Sequence, residues 1–298
     1  MVSPYEIKET GEKFEPEILE DAKRLEKTDD VSTLDDPIAK EVQASFEESA
    51  TETSTYESNE TYEIDDKRVE TDNNGKVFKE DDKLVANNKY EAGDSGAEYE
   101  TDSNGRIVTY KADLELTPES ERDLNAQREA GGADRLEKDD GGHLIARILG
   151  GASGIENLVA MRDTINRSDY KSFENSCVND LKDGHDVSLK GTVEYNGDSE
   201  RPSKIKVEKY VDDKKTTEAT FYNDAGSTEG LSEAKETISK EDYESLKNRV
   251  DTMKEYDAEP TITSVTKKYD ENGNVSEVTV KLRDETTGRG TVINYSAR

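Results

Sequence analysis

Cysteine is almost absent: Cys177 is the only one among 298 residues. A disulfide within the chain is therefore impossible, and so is a zinc site built from several thiolates. Apolar residues are scarce too, at 30% against about 45–50% in ordinary globular domains. Charged residues reach 38% against the usual ~25%. One dense core over the whole length is excluded, and part of the chain is expected to be solvated. No apolar run approaches 18 residues, so no helical membrane span is expected. The start, Met1-Val2-Ser3-Pro4-Tyr5-Glu6, lacks a basic region followed by an apolar stretch, so no signal peptide is expected. Positive charge is in short supply, with 41 Lys and Arg against 71 Asp and Glu, a net of −30. Capture of nucleic acid by the chain as a whole is thereby excluded.

The deficit is uneven. Residues 1–85 carry a net −15, residues 86–224 a net −11 and residues 225–298 a net −4. Residues 140–211 hold 12 acidic and 10 basic side chains, so a phosphate-binding site would meet least repulsion there.

Residues 1–60 read as an acidic tail, largely solvated, with helical spacing of Ile18, Leu19, Ala22 and Leu25 within Pro16–Lys27. Residues 61–85 read as a hairpin-like linker. One phrase recurs: Asp72-Asn73-Asn74-Gly75, Asp102-Ser103-Asn104-Gly105 and Asp270-Glu271-Asn272-Gly273. Asn-Gly between alternating residues predicts two-residue type I′ hairpins. Leu144–Leu149, following His143, is apolar and reads as a strand or buried segment. Ser168–Leu181 reads as a helix with Tyr170, Phe173, Cys177 and Leu181 on one face. Val187–Val193 and Ile205–Val211 alternate as strands, with Ala219–Tyr222 a short third. In residues 225–298, Ser239-Lys240-Glu241-Asp242 opens a helix to about Tyr256, its apolar face formed by Leu246, Val250 and Met253. Three strands follow, at Thr261–Tyr269, Glu277–Arg283 and Thr291–Tyr295. They form either an appended α+β module or extra strands on a central sheet.

Two histidines are present, His143 and His185. His143 follows Asp139-Asp140-Gly141-Gly142, where glycines permit close backbone approach. Downstream come Asn157, Asn166 and Glu174, separated by nine and eight residues. With this set, residues 86–224 resemble the DNA/RNA non-specific endonucleases of the ββα-metal (His-Me finger) type. Within them the chain is most similar to the nuclease toxin domains of type VII secretion effectors. Tyr99–Arg106, Gln127–Arg135 and Arg201-Pro202 share in the resemblance. The family writes Asp-Arg-Gly-His around its base; here Asp140-Gly141-Gly142-His143 lacks the arginine, which in the family helps hold substrate phosphate.

The resemblance implies an α+β fold: a ββα-metal core on a mainly antiparallel sheet, flanked by an acidic tail and a C-terminal helix plus β-meander. It implies His143 as general base, Asn157 orienting that histidine or the metal waters, Asn166 as ligand of Mg²⁺ (or Mn²⁺), and Glu174 holding a metal water. The chemistry is consistent, since Mg²⁺ takes oxygen ligands and keeps most of its waters. A neutral imidazole can accept a proton from attacking water. The products would carry a 5′-phosphate, from DNA or RNA alike. Arg147 and Arg167 either clamp phosphate or pair with carboxylates. Asn166 alone also reads as a helix N-cap. Gly150-Gly151-Ala152-Ser153-Gly154 lacks the lysine of a phosphate loop. Tyr170, Phe173 and Cys177 read as core, and His185 as a loop residue. The expected role is that of a bacterial toxin nuclease, secreted by a leaderless route and met by an immunity protein. The competing readings are a non-enzymatic acidic module on a decayed nuclease domain and an inhibitor whose acidic surface mimics DNA.

Overall fold

The structure is a computed structural model and describes residues 56–118 and 121–298. The helix expected at Pro16–Lys27 and most of the acidic tail lie outside the described residues. The described chain is mixed α/β with mainly antiparallel sheets. A four-stranded sheet comes first: β1 (Thr61–Ile64), β2 (Lys67–Thr71), β3 (Val77–Glu80) and β4 (Lys83–Leu84). Next come β5 (Lys89–Ala92), β6 (Ala97–Thr101) and β7 (Ile107–Asp113), then the short helix α1 (Leu124–Glu129). A separate hairpin of β8 (Asp139–His143) and β9 (Leu158–Arg162) leads into a helical segment, a π turn over Ile165–Tyr170 followed by α2 (Lys171–Lys182). Then come β10 (Val187–Tyr195), β11 (Pro202–Val211) and β12 (Lys214–Tyr222), helices α3 (Gly230–Thr237) and α4 (Lys240–Glu255), and β13 (Pro260–Tyr269), β14 (Val275–Asp284) and β15 (Gly290–Ser296).

Nine strands form one sheet in the order β15-β14-β13-β12-β11-β10-β7-β6-β5. The C-terminal meander is thus extra strands on the central sheet, the second of the two alternatives. It joins through β12, which pairs with β13 from Thr217↔Lys268 to Phe221↔Ser264. The third central strand is nine residues long, not the four of Ala219–Tyr222.

Successive residues of a strand face opposite sides. Along β12, Ala219 and Phe221 enter a core shared with Tyr170, Phe173, Cys177, Val159 and Met161. Tyr222 enters another, with Ala234, Leu246, Val250 and Ile262. The β8–β9 hairpin and α2 therefore cover one face of the sheet, and α3 and α4 cover the other. Ser239 caps α4 by accepting the Asp242 amide at 3.0 Å.

The turns correct the sequence reading. Each Asn-Gly phrase makes a type I turn closed by a bulge with glycine at positive φ: Gly75 at 76°, Gly105 at 74° and Gly273 at 80°. The aspartate that opens each phrase decides this. The Asp72 carboxylate accepts the amides of Asn74 and Lys76 at 2.9 and 2.8 Å, and Asp102 and Asp270 repeat the pattern. The two-residue turns with both central residues at positive φ are instead Asp65-Asp66, Asp81-Asp82 and Asp212-Asp213. Aspartate tolerates this conformation because its short polar side chain bonds locally.

Candidate active site

The apolar run after His143 is not a strand. β8 ends at His143, and the chain then turns through a short 3₁₀ helix at Arg147–Leu149. Leu144 and Ile145 are buried in the first core. Asn157 holds this turn. Its side-chain oxygen accepts the Ile145 amide at 3.0 Å, and its nitrogen donates to the carbonyls of Ile145 and Ala152, each at 2.8 Å. From the core side, Tyr170 donates to the Leu144 carbonyl at 2.6 Å and contacts the Tyr110 hydroxyl at 2.9 Å. The backbone just after His143 is thus clamped from two directions.

A cleft of about 450 Å³ opens between β8, the Arg147 turn and the π turn with α2. It brings together His143, Asn166, Glu174, Arg147 and Arg167. Asn157 is not among its lining residues. It is fully buried with its amide committed to backbone, so of its two expected parts, orienting the histidine or the metal waters, the geometry fits the first, through the His143 turn.

The imidazole of His143 bonds the backbone of Ser153. Its Nε2 is buried and has no hydrogen-bond partner, which leaves Nδ1 as the atom facing Ser153. Burial, then the charge of Arg147, pushes the His143 pKa down to about 4. The ring is neutral at pH 7, with a lone pair on one nitrogen.

Asn166 lies inside the helical segment and does not cap it. Its nitrogen donates to Asp140 Oδ2 at 3.0 Å. That bond fixes the amide and leaves Oδ1 as a free oxygen donor. Gly142 permits the approach: a Cβ there would stand 3.1 Å from Asn166 Oδ1 and 2.9 Å from Met161 Cβ. Arg167 forks onto the same Asp140, with Nε–Oδ2 2.8 Å and Nη2–Oδ1 2.6 Å. Burial opposes ionisation of Asp140, but the bonds from Arg167 and Asn166 outweigh it and hold its carboxyl below the usual range. Glu174 has no such partner, and burial pushes its carboxyl up to about 7, with Lys171 opposing.

Two cations of the cleft escaped the sequence reading, Arg122 and Lys171. Both act on the site, Arg122 by its charge on His143 and Lys171 by its charge on Glu174. Lys171 sits one turn before Glu174, a spacing visible in sequence; Arg122 is brought in only by folding.

Gly141 packs against the backbone of Gln127 in α1, where any Cβ would collide. Arg135 locks that helix by donating to the carbonyls of Gln127, Ala130 and Asp139. Behind the hairpin, buried Arg201 forks onto Asp139 at 2.7 and 3.1 Å. Asn223 donates to the carbonyls of Ala160 and Pro202. The hairpin is thereby tied to β11 and β12.

Residues 86–213 match the family model of DNA/RNA non-specific endonucleases. Over 132 residues the chain is 42% identical to the type VII secretion system protein EssD of Staphylococcus aureus strain USA300, covering 42% of this chain and 21% of that protein. It is 29% identical over 129 residues to the probable deoxyribonuclease RhsA of Dickeya dadantii, covering 41% of this chain and 9% of that protein. The chain thus spans about a fifth of the EssD length or less of each relative. The endonuclease match contains every residue of the cleft and ends at the Asp212-Asp213 turn between β11 and β12. Tyr170, Phe173 and Cys177 are core, as expected, and burial pushes the Cys177 thiol up to about 12. His185 is exposed and pairs with Asp212 at 2.8 Å. No described helix is long and apolar enough to cross a membrane.

Proposed function

We propose that the cleft hydrolyses phosphodiester bonds of DNA and RNA, and that the chain acts as a bacterial effector nuclease. One observation carries this reading: the unpartnered Nε2 of His143 shares a cleft with two uncommitted oxygen donors, Asn166 and Glu174. The rim supports it. Arg122, Arg147, Arg167 and Lys171 outnumber Asp140 and Glu174 in a chain of net charge −30.

The donor set fits Mg²⁺, or Mn²⁺. Among the described residues no group of three His, Cys, Asp or Glu could hold a metal. An ion that keeps its waters and prefers hard oxygen needs only one or two protein groups, which Asn166 Oδ1 and, through a water, Glu174 can provide. Such an ion, when bound, stabilises negative charge on the leaving oxygen. The rest falls to the chain's own residues. Nε2 of His143 takes a proton from water, whose oxygen bonds to phosphorus as the bond to the 3′ oxygen breaks. The products are a 5′-phosphate and a 3′-hydroxyl. Asn157 and Tyr170 hold the turn that aims the imidazole, and the Asp140–Asn166 bond keeps the amide oxygen turned from the carboxylate. No ribose hydroxyl takes part, so both nucleic acids qualify.

Nicking of supercoiled plasmid and degradation of RNA with Mg²⁺, both abolished by EDTA, are the expected results. Absence of cleavage by the folded protein would instead favour a non-enzymatic acidic module, the reading to which the missing arginine at Gly141 lends weight. Leaderless secretion and an immunity partner belong to the same proposal; co-purification with a small acidic protein from the neighbouring gene tests the latter.

A further inference from the structure

A second groove, of about 420 Å³, runs beside the cleft. Arg167 lines both, so the two are contiguous at that residue. The far wall of the groove is built by β13, β14 and β15 through Thr263, Lys281, Arg283 and Val292, all beyond the endonuclease match. The junction is made deliberately by the fold. A bulge in β13 skips Thr263 between the pairs Ile262↔Leu282 and Ser264↔Lys281. Thr263 thereby donates to the buried carboxylate of Asp169 in the π turn at 2.6 Å, and Lys281 reaches the same group at 3.0 Å.

The cations of this groove differ in commitment. Arg167 is held by Asp140 and Lys281 by Asp169. Arg283 is not held. Its Nε is buried and makes no hydrogen bond, and Glu285 Oε2, 3.6 Å from it, is already bound by Arg162 at 2.7 Å, so any phosphate contact falls to the exposed end of the guanidinium. The Arg283 side chain is 28% exposed. Thr164 also lines the groove, its hydroxyl buried and unpartnered. Of the two carboxylates that line the groove, Asp169 is consumed by Thr263 and Lys281, which leaves Asp163; Glu285 stands behind Arg283, shared with Arg162.

We propose that this groove, with Arg283 as its phosphate contact, carries the nucleic-acid strand onward from the cleft. The inference rests on the nuclease reading and deepens it, since it assigns the C-terminal strands a part in substrate binding. Arginine suits the task because its planar fork matches a phosphate. A surface of near-balanced charge is the place where a strongly acidic chain repels a polyanion least.

Binding, measured apart from cleavage, tests it. The full chain and its Arg283→Ala, Arg283→Lys and Arg283→Glu variants are titrated in EDTA against a fluorescent 16-nucleotide single strand, by anisotropy at several salt concentrations. Arg283→Ala is expected to raise Kd by about threefold to tenfold and to flatten the log Kd against log salt slope by about 0.7, one phosphate contact on a single strand. Arg283→Lys should keep the slope and Arg283→Glu should weaken binding further. Equal melting temperatures show the fold intact. Identical Kd and slope for wild type and Arg283→Ala, or no binding by the wild type, overturns the proposal. Failure of the nuclease reading shows separately, as a wild type that binds the strand in EDTA yet cleaves nothing with Mg²⁺.

Discussion

The β12 carboxylate Glu218 and the cleft pair of Glu174 and His143 are all withdrawn from solvent, and the fold treats them in opposite ways. On β12, Glu218 has a side chain only 7% exposed, yet Lys206, Lys215 and Lys267 all reach it within 3.1 Å. Burial alone would raise its pKa; the three ammonium groups reverse that and hold it at about 2. In the cleft, half-buried Glu174 and His143 have no ion-pair partner; His143 keeps only its bond to the Ser153 backbone, and Lys171 acts on Glu174 from a distance. Desolvation then wins, moving Glu174 up to about 7 and His143 down to about 4, both toward the neutral form. Burial with partners builds structure, whereas burial without them leaves a group that gains by meeting a ligand.

The contrast can be broken most forcefully at His143. Replacing it with alanine should cut plasmid nicking by about 10²–10⁴-fold, the usual loss on removing a general base. The melting temperature should fall only modestly, because loss of the half-buried ring and its bond to the Ser153 backbone is partly offset by removal of the unpartnered Nε2. Near-wild-type nicking would end its assignment as base. Glu174→Gln comes next. On the proposed reading, in which its carboxylate holds a metal water, the substitution should raise the Mg²⁺ concentration for half-maximal cleavage by about 10–100-fold, with folding retained; an unchanged Mg²⁺ titration would return Glu174 to a half-buried helix residue.

Restoring the family arginine sharpens the comparison from another side. Gly141→Arg should destabilise the protein by about 1–3 kcal/mol, the common cost of overpacking, because α1 occupies the space. Chemical denaturation measures it, and a stable, more active variant would show that α1 yields. Glu218→Gln should cost about 1–2 kcal/mol at pH 7, discounted for the partly solvated lysines. Its sign in acid follows from a folded pKa below the unfolded value. The stabilisation is complete above about pH 5 and is lost as pH falls toward about 2. Wild type and variant should therefore converge in melting temperature over that window, and parallel curves would refute the assignment.

What the sequence disclosed depended on how local the cause was. The spacing of His143, Asn166 and Glu174 was legible, and the structure gathers all three in one cleft. The capping serine of α4 and the alternating strands were legible because propensity and burial agree there. The Asn-Gly turns were placed correctly but typed wrongly, since the deciding bonds come from Asp72, Asp102 and Asp270 to amides two and four residues on. Leu144–Leu149 is a buried segment, one of its two readings, and not a strand; a buried turn and a buried strand are equally apolar, and the difference lies in Asn157, twelve residues from the amide it binds. Arg167 was legible only as an even choice between phosphate and carboxylate, and in the structure it pairs with Asp140 while staying exposed. For Asn157 the sequence left two roles open, orienting the histidine or the metal waters, and its bonds to the turn after His143 fit the first.

The placing of β13 beside β12 has a consequence for how the molecule can be divided. The endonuclease match stops in the Asp212-Asp213 turn, so a fragment cut there would leave β11 as a bare rim. Its amides and carbonyls, now bonded from Lys204↔Tyr222 to Val211↔Lys214, would face solvent in a row. Rows of that kind recruit any strand that fits, including the same strand of a neighbouring copy. In the intact chain the outermost strand is β15, whose burial alternates between exposed and half-buried residues and whose first and last positions lie open to water. The C-terminal strands thus serve as a selvedge, the finished border that keeps a woven edge from fraying into the next piece of cloth.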